Sequence, residues 1–350
     1  MKTKKKKIFV GISGGVDSSV AAYLLKQQGH DVHGVFVKTW SPEWLPCTWL
    51  DEKRDAMRVC ASLGIPFHFL DAESEYKEGV AEYMIDEYKR GRTPNPDVLC
   101  NRVIKFGVMW EYARAHGADA IATGHYAQTD GAHLLKAVDE SKDQSYFLWM
   151  ITQAELAHIV FPIGGMPKAQ VRALAQKAGL FTADKKDSQG ICFLGDVDMR
   201  KFLSHYIEQT PGSVVTTSGE IIGEHSGVWF YTLGERHGFI ITRQGTNDPK
   251  YYVVGKNIEK NILYVDTSPT VSIEHTIQTI TLRETNWHTE NTGRVQCLAQ
   301  IRYHGELIPA VILGKDRVEL HYSNVVALGQ SLVLYQGEQL IGGGIIDSIS

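Results

Sequence analysis

The run Gly11-Ile12-Ser13-Gly14-Gly15-Val16-Asp17-Ser18-Ser19 constrains this chain more than any other stretch. It follows the apolar segment Ile8-Phe9-Val10 and precedes a helical pattern, Val20-Ala21-Ala22-Tyr23-Leu24-Leu25. A Gly-rich turn from a strand into a helix opens a βα unit, and a chain that repeats such units builds a parallel sheet. The turn is also an anion site, because backbone N–H groups converge there and the helix dipole favours negative charge. Ser13, Ser18 and Ser19 add hydroxyl donors, and the glycines let an anion approach the backbone closely. The run lacks both the Lys-Ser/Thr ending of a Walker loop and the spaced glycines of a Rossmann fingerprint.

The pattern that follows supports the same fold. Val32–Val37 reads as a second strand, 51–63 as a helix ended by Gly64, 66–70 as a strand and 76–90 as a helix. Residues 91–101 read as a stiff loop, 106–116 as a helix stopped by Gly117, and Ala120–Thr123 as a small-residue strand. This order predicts an α/β fold with a doubly wound parallel sheet and ligands at the carboxyl ends of its strands, where the Gly11–Ser19 turn, Val37 and Gly124 all fall. Near residue 205 the pattern changes to short β runs, including Val228-Trp229-Phe230-Tyr231, divided by Gly, Asn and Asp. The expected organisation is a catalytic domain over 1–203, a small β-rich central domain over 204–268 and a C-terminal β-barrel over 269–350.

Bulk properties narrow the class. A chain of 350 residues with 43% hydrophobic and 22% charged residues has the composition of a soluble protein. No apolar run approaches the roughly 20 residues needed to span a bilayer, and no signal-peptide core follows the basic N-terminus. A net charge of −4 does not advertise a nucleic-acid binder, although local patches set the field at a site. Five widely spaced cysteines argue against a disulfide scaffold, and a cytoplasmic protein that does not engage membranes is expected. Without a Cys-x-x-Cys pair, no structural metal site is expected.

Cys60 and Cys297 lie among apolar neighbours and read as buried hydrophobes, whereas Cys47, in a Trp-rich segment, is left unassigned. Cys100 and Cys192 differ. Cys100 closes Arg92-Thr93-Pro94-Asn95-Pro96-Asp97-Val98-Leu99-Cys100, where two prolines stiffen the chain and a helix starting near Asp97 would favour a thiolate. Cys192 follows Lys185-Lys186-Asp187-Ser188-Gln189-Gly190-Ile191, an electropositive, Gly-bounded stretch. Both read as polar loops in which chemistry explains the thiol better than packing does.

The Ser-Gly-Gly-x-Asp-Ser turn resembles the PP-loop of ATP pyrophosphatases, which split ATP into AMP and pyrophosphate. Together with Arg-Thr-Pro-Asn-Pro-Asp-x-x-Cys-Asn and Lys-Asp-Ser-Gln-Gly-Ile-Cys-Phe, it resembles the tRNA-specific 2-thiouridylase family over essentially the whole chain. The resemblance implies ATP-dependent 2-thiolation of the wobble uridine (position 34) in tRNAs for Lys, Glu and Gln. ATP with Mg2+ would be held by Gly11, Ile12, Ser13, Gly14, Gly15, Val16, Asp17 and Ser18, with Val37 and Gly124 lining the adenosine pocket. Asn95 and Pro96 would contact the flipped base, with Asp97 as acid/base, Cys100 as nucleophile and Cys192 as persulfide carrier. His125, Lys142, Asp143, Gln144, Arg302, Tyr303 and Gln330 would contact the tRNA, which is engaged at its anticodon loop. A cysteine desulfurase or sulfur-relay protein would load Cys192. The chain departs from the family pattern at Glu235 and His237, which replace Gln and Lys and remove positive charge where RNA or a donor would dock.

The chemistry makes the motifs one reaction. A uracil C2 oxygen leaves poorly until adenylation turns it into AMP, and an acid/base manages protons on the ring. Persulfidated Cys192 would deliver sulfur. Cys100 would attack either the disulfide formed or the terminal persulfide sulfur, leaving a Cys100–Cys192 disulfide. Extruding the base costs a few kcal/mol, which several RNA-gripping domains would offset. Two other readings share the turn: a PP-loop synthetase acting on a small metabolite, and a non-catalytic RNA-binding protein that retains ATP.

Overall fold

The computed structural model describes residues 4–45, 49–186, 198–242, 249–268, 277–289, 293–322 and 326–350. Strands β1 (Lys7–Gly11), β2 (Asp31–Lys38), β3 (Phe67–Asp71) and β4 (Ala120–Ala122) are parallel. β5 (Gln128–Thr129) and β6 (Leu134–Leu135) form a hairpin, and β7 (Ile159–Val160) completes the parallel sheet in the order β3-β2-β1-β4-β7. The order reverses between β1 and β4, which opens a crevice at their carboxyl ends.

Ile8, Phe9, Val10, Ala120, Ile121 and Ala122 are all buried, as expected of central strands covered on both faces. One face packs Ile8 and Val10 against helices α1 (Val16–Gln27) and α2 (Trp49–Leu63) and the helix Lys168–Lys177. The other packs Phe9 and Ile121 against Phe106, Met109 and Ala113. The expected doubly wound architecture is therefore present.

The stretch read as a loop over 91–101 is helical from Pro96. Pro96–Leu99 leads into a π-helical segment, Cys100–Val108, and then Met109–Ala115. Proline at the first helical position has its φ preset, and Asn95 before it is non-helical at φ −114°. A second π segment, Lys77–Ala81, joins Glu73–Tyr76 to Glu82–Lys89. Such wide turns recur at functional sites.

The central sheet contains Gly212–Thr216, Ile221–His225, Ile240–Ile241, Tyr252–Asn257 and Ile262–Asp266. Val228–Phe230, expected as a strand, is a 3-10 turn. Gly227, at φ 140°, turns the chain out of the sheet while its N–H donates to His225 Nδ1 at 3.0 Å. Beyond it, Ile277–Trp287, Val295–Gln300, Ile308–Ile312, Arg317–His321, Ser331–Gln336 and Gln339–Ile349 close into a six-strand antiparallel barrel. Closure removes free edges. The β5–β6 hairpin of the parallel domain pairs with the start of the last barrel strand, Leu134 opposite Leu340 and Leu135 opposite Gln339. Among the described residues, no helix is long and apolar enough to cross a membrane.

Candidate active site

The Gly11–Ser19 turn lies at the carboxyl end of β1, and two close approaches fix its shape. A Cβ on Gly124 would stand 2.6 Å from Ser18 N and 2.8 Å from the Asp17 carbonyl carbon, so the chain leaving β4 lies directly on the first turn of α1. Gly14, at φ +75°, would meet Asp55 Cβ at 2.9 Å and so rests on α2. Only glycine fits either contact. Ser19 Oγ donates to the Gly15 carbonyl at 2.6 Å, and Ser13 N–H donates to Ser18 Oγ at 3.2 Å. No side chain caps α1, so its first N–H groups remain available to an anion.

Two lysines from outside the local motif flank the turn. Lys168 Nζ lies 2.8 Å from both carboxylate oxygens of Asp17, which also accepts from Tyr126 OH at 2.9 Å. Lys185 Nζ donates to the Gly14 carbonyl at 3.1 Å and to Asp55 Oδ2 at 2.8 Å. Burial raises the pKa of nearby Glu52, with Lys185 opposing the shift. Residues 187–197 lie outside the described residues, and Cys192 with them, as does Cys47. Lys185 stands just before that segment, so the charge read beside Cys192 belongs in part to the anion turn.

Asp97 is half-buried in the Pro96–Leu99 turn, with Pro96 itself buried and Asn95 half-buried before it. Cys100 follows at the onset of the π segment and is 2% exposed. Its neighbours are Ala72, Tyr76, Val80, Ala81, Leu99 and Ile104, with Val37 packed against the group. The expectation of a cysteine in a polar loop is therefore corrected: the local sequence is polar, but helices from elsewhere in the chain enclose the thiol. Val37 is the penultimate residue of β2 and Ala72 follows β3, so Cys100 and the anion turn share the carboxyl edge of one sheet. Cys60, at 1% exposure, is buried as expected and Cys297 is half-buried against the barrel core, with burial pushing both thiols up to about 11.

The residues expected at an RNA surface divide into two groups. Arg302 is exposed, and Lys142 and Tyr303 are half-buried. The Tyr303 ring lies 4.4 Å from that of Phe147, and burial pushes its hydroxyl up to about 12. The others are engaged with protein groups, His125 buried and Asp143, Gln144 and Gln330 half-buried. His125, 8% exposed between Phe106 and Phe161, shares a 2.7 Å hydrogen bond with Thr123 Oγ1, and burial holds its pKa well below the usual range. The Asp143 carboxylate accepts from Ala137 N–H at 2.8 Å and Ser145 Oγ at 2.7 Å, while Gln144 Oε1 accepts from Tyr126 N–H at 3.0 Å. Gln330 Nε2 donates to the carbonyls of Thr93 at 2.8 Å and Pro94 at 3.4 Å. Glu235 faces Arg200 at 3.2 Å and lies beside the half-buried Lys256, whose pKa burial pushes down to about 8, so nearby cations answer its charge.

Comparison with known proteins agrees with this architecture. Residues 6–196 match the model of a tRNA methyl transferase HUP domain, 200–267 a tRNA methyl transferase PRC-barrel domain and 277–346 an aminomethyltransferase beta-barrel domain. A tRNA-specific 2-thiouridylase MnmA of Pediococcus pentosaceus is 44% identical, covering 98% of this chain and 96% of its own length. The Bacillus subtilis protein of that name is 43% identical, covering 98% of this chain and 95% of its own length. A solved U34-tRNA thiolase NcsA from Methanococcus maripaludis aligns with 58% of this chain and 66% of its own at 18% identity and TM-score 0.37, too distant to support any assignment. By full-length similarity, the chain belongs to the tRNA-specific 2-thiouridylase family.

Proposed function

We propose that this chain replaces the 2-oxygen of a tRNA wobble uridine by sulfur at the expense of ATP. Thiolation of a tRNA uridine is the activity named for its relatives. The finer assignment rests on one observation: the anion turn and the Asp97–Cys100 segment open on the same carboxyl edge of the parallel sheet. The family models carry methyl transferase descriptions. Methyl transfer, however, needs neither an anion turn of this kind nor a second thiol, whereas replacing a carbonyl oxygen by sulfur needs both activation and a sulfur carrier.

In this reading the free N–H groups of α1, with Lys168 and Lys185, hold the triphosphate. Lys168 already pairs with Asp17 of the turn and Lys185 links the Gly14 carbonyl to Asp55, so phosphate oxygens compete with Asp17 and Asp55 for them. Mg2+ would arrive with the nucleotide and screen its charge. Asp17 is the carboxylate placed to meet it, and among the described residues no group of three or more His, Cys, Asp or Glu could hold a metal alone. The uracil O2 attacks the α-phosphorus and pyrophosphate leaves. The terminal sulfur of a Cys192 persulfide then attacks C2 and AMP departs. Attack of the Cys100 thiolate on Cys192 Sγ breaks the S–S bond, its electron pair leaving with the sulfur now on C2. The resulting Cys100–Cys192 disulfide needs a thiol reductant. Asp97, three residues before Cys100 in the same helical run, would move the ring proton. Arg302, Lys142 and Tyr303 are the accessible candidates for the RNA surface.

The test incubates the purified chain with unmodified tRNA, ATP, cysteine and a cysteine desulfurase, and digests the tRNA for nucleoside mass spectrometry. The expected result is 2-thiouridine at the wobble position with pyrophosphate release dependent on tRNA. Pyrophosphate release driven by a small metabolite instead, or thiolation without ATP, would overturn the reading.

A further inference from the structure

Gln330 was expected at an RNA surface, yet its amide faces the protein. The barrel turn that carries it grips the backbone just before Asn95. Thr93 N–H donates to the Leu328 carbonyl at 2.8 Å, and Gln330 Nε2 donates to the carbonyls of Thr93 and Pro94. Gly329, at φ +89°, lies so close that a Cβ would stand 3.0 Å from Arg92 Cβ and 3.1 Å from Thr93 N. The ion pair Arg92–Asp347, at 2.8 Å, ties the same segment to the last barrel strand. Tyr146 OH donates to the Ser331 carbonyl at 2.9 Å and also interacts with Asn95. Residue 93 is thus paired on both its N–H, by a backbone carbonyl of the barrel turn, and its carbonyl, by the Gln330 side-chain amide, although partners and segment are more than two hundred residues apart.

From this geometry we propose that the barrel turn Leu328–Ser331, acting through Gln330, is a positioning element that sets the Asn95–Asp97 segment for catalysis. The inference rests on the thiolation reading and adds a role for the third domain besides any contact with RNA. Proline at 94 and 96 leaves that backbone few internal hydrogen bonds of its own. Without an outside partner, the entry into the helix would be free to shift about Thr93. Displacing a reacting group by about 1 Å can cost on the order of 100-fold in rate. The turn supplies the missing partners from a rigid, closed barrel.

The test measures single-turnover thiolation at saturating tRNA and ATP, with tRNA affinity measured separately, for wild type, Gln330→Ala and Gly329→Ala. Gly329→Ala is informative because it removes no side chain that could touch RNA, yet pushes a methyl group into Thr93. The expected result is a fall of roughly ten- to a hundredfold in the single-turnover rate for both variants, with tRNA affinity within about threefold of wild type. Gln330→Asn, which keeps a shortened amide donor, should recover part of the rate. Backbone amide exchange at Thr93 should speed up in the two impaired variants and not elsewhere in the parallel domain. Should either variant misfold, the amide exchange of the other decides. Weakened tRNA binding with an unchanged rate at saturation would overturn the proposal and return Gln330 to the RNA surface. A wild-type chain that does not thiolate tRNA would instead fail the functional reading.

Discussion

Gly124→Ala tests how tightly the anion turn is specified. The added methyl would stand 2.6 Å from Ser18 N, 2.8 Å from the Asp17 carbonyl carbon and 3.0 Å from Ser18 Cα. All three are backbone atoms, so no rotamer change can relieve the clash. Either the first turn of α1 or the chain leaving β4 must move by roughly an ångström, and overpacking of this kind costs about 1–3 kcal/mol. For function the shift matters more, because Asp17 and Ser18 are the residues displaced. Misplacement on this scale should cost about 100-fold in the adenylation step. Pyrophosphate release with saturating tRNA gives the rate, and ATP titration gives the affinity. Gly165→Ala is the control, since its Cβ would meet only Gln128 Oε1, at 3.7 Å. A Gly124→Ala protein with unchanged ATP affinity and adenylation rate would refute the assignment of this turn as the triphosphate site, and wild-type stability would refute the packing argument.

Three further outcomes are expected. Cys100→Ser and Cys192→Ser should each abolish 2-thiouridine while leaving tRNA-dependent pyrophosphate release measurable, and a persulfide mass on Cys192 should survive in Cys100→Ser; product from either variant counts against the two-thiol scheme. Burial lowers the pKa of His33 and His68, whose rings share a 3.0 Å hydrogen bond near Lys7, Asp31 and His116. Their contribution to stability is therefore complete above the unfolded value near 6.5 and is lost as pH falls through the lower folded values; melting scans should show stability rising from pH 5.5 to 7.5, less steeply in His33→Asn, and an equal slope in the variant would refute the linkage. Glu87, 1% exposed, faces Arg90 and Arg92 of its own domain and Arg283 across the boundary with the barrel. Glu87→Gln should cost about 2–3 kcal/mol in chemical denaturation, below the usual range for a broken buried pair because Arg283 keeps Glu284 at 3.0 Å and Asp347 at 3.6 Å. A loss under about 0.5 kcal/mol would mean the network contributes nothing.

What the sequence disclosed and what it hid divide along a physical line. The strand–turn–helix geometry at Gly11–Ser19 was legible because strand, glycines and helix lie within one short run, and backbone geometry follows from local residue types. Lys168 and Lys185 were not assigned to it, since they reach Asp17 and Gly14 across separations of 151 and 171 residues. Local composition also misled at Cys100, where polar neighbours in sequence suggested an open loop. The apolar enclosure comes from Tyr76, Val80 and Ala81 on a different helix. The run Val228–Tyr231 has β-forming side chains, but the torsion at Gly227 takes it out of the sheet. At Glu235 the charge change was visible, whereas Arg200 and Lys256, which answer it, come together only through the fold.

The barrel shows the same division at the scale of a domain. Read alone, its strands suggest a self-contained module, and closure of the sheet agrees. Its outer face, however, completes the core of the parallel domain. Val333, Tyr335, Leu340 and Ile345 belong to the same buried cluster as Phe9, Phe106, Ile121 and Trp149. Trp149 Nε1 donates to Ser331 Oγ at 3.0 Å, and Asn286 Nδ2 donates to the Trp149 and Ile151 carbonyls at 2.7 and 2.9 Å. Removing the barrel would bare a large aromatic surface and strand these polar groups, a combination that costs far more than the loss of an RNA-binding appendage. The second face of the parallel sheet is thus finished by residues from the far end of the chain. The segment bearing Asp97 and Cys100 lies where those two parts meet, so its geometry depends on both.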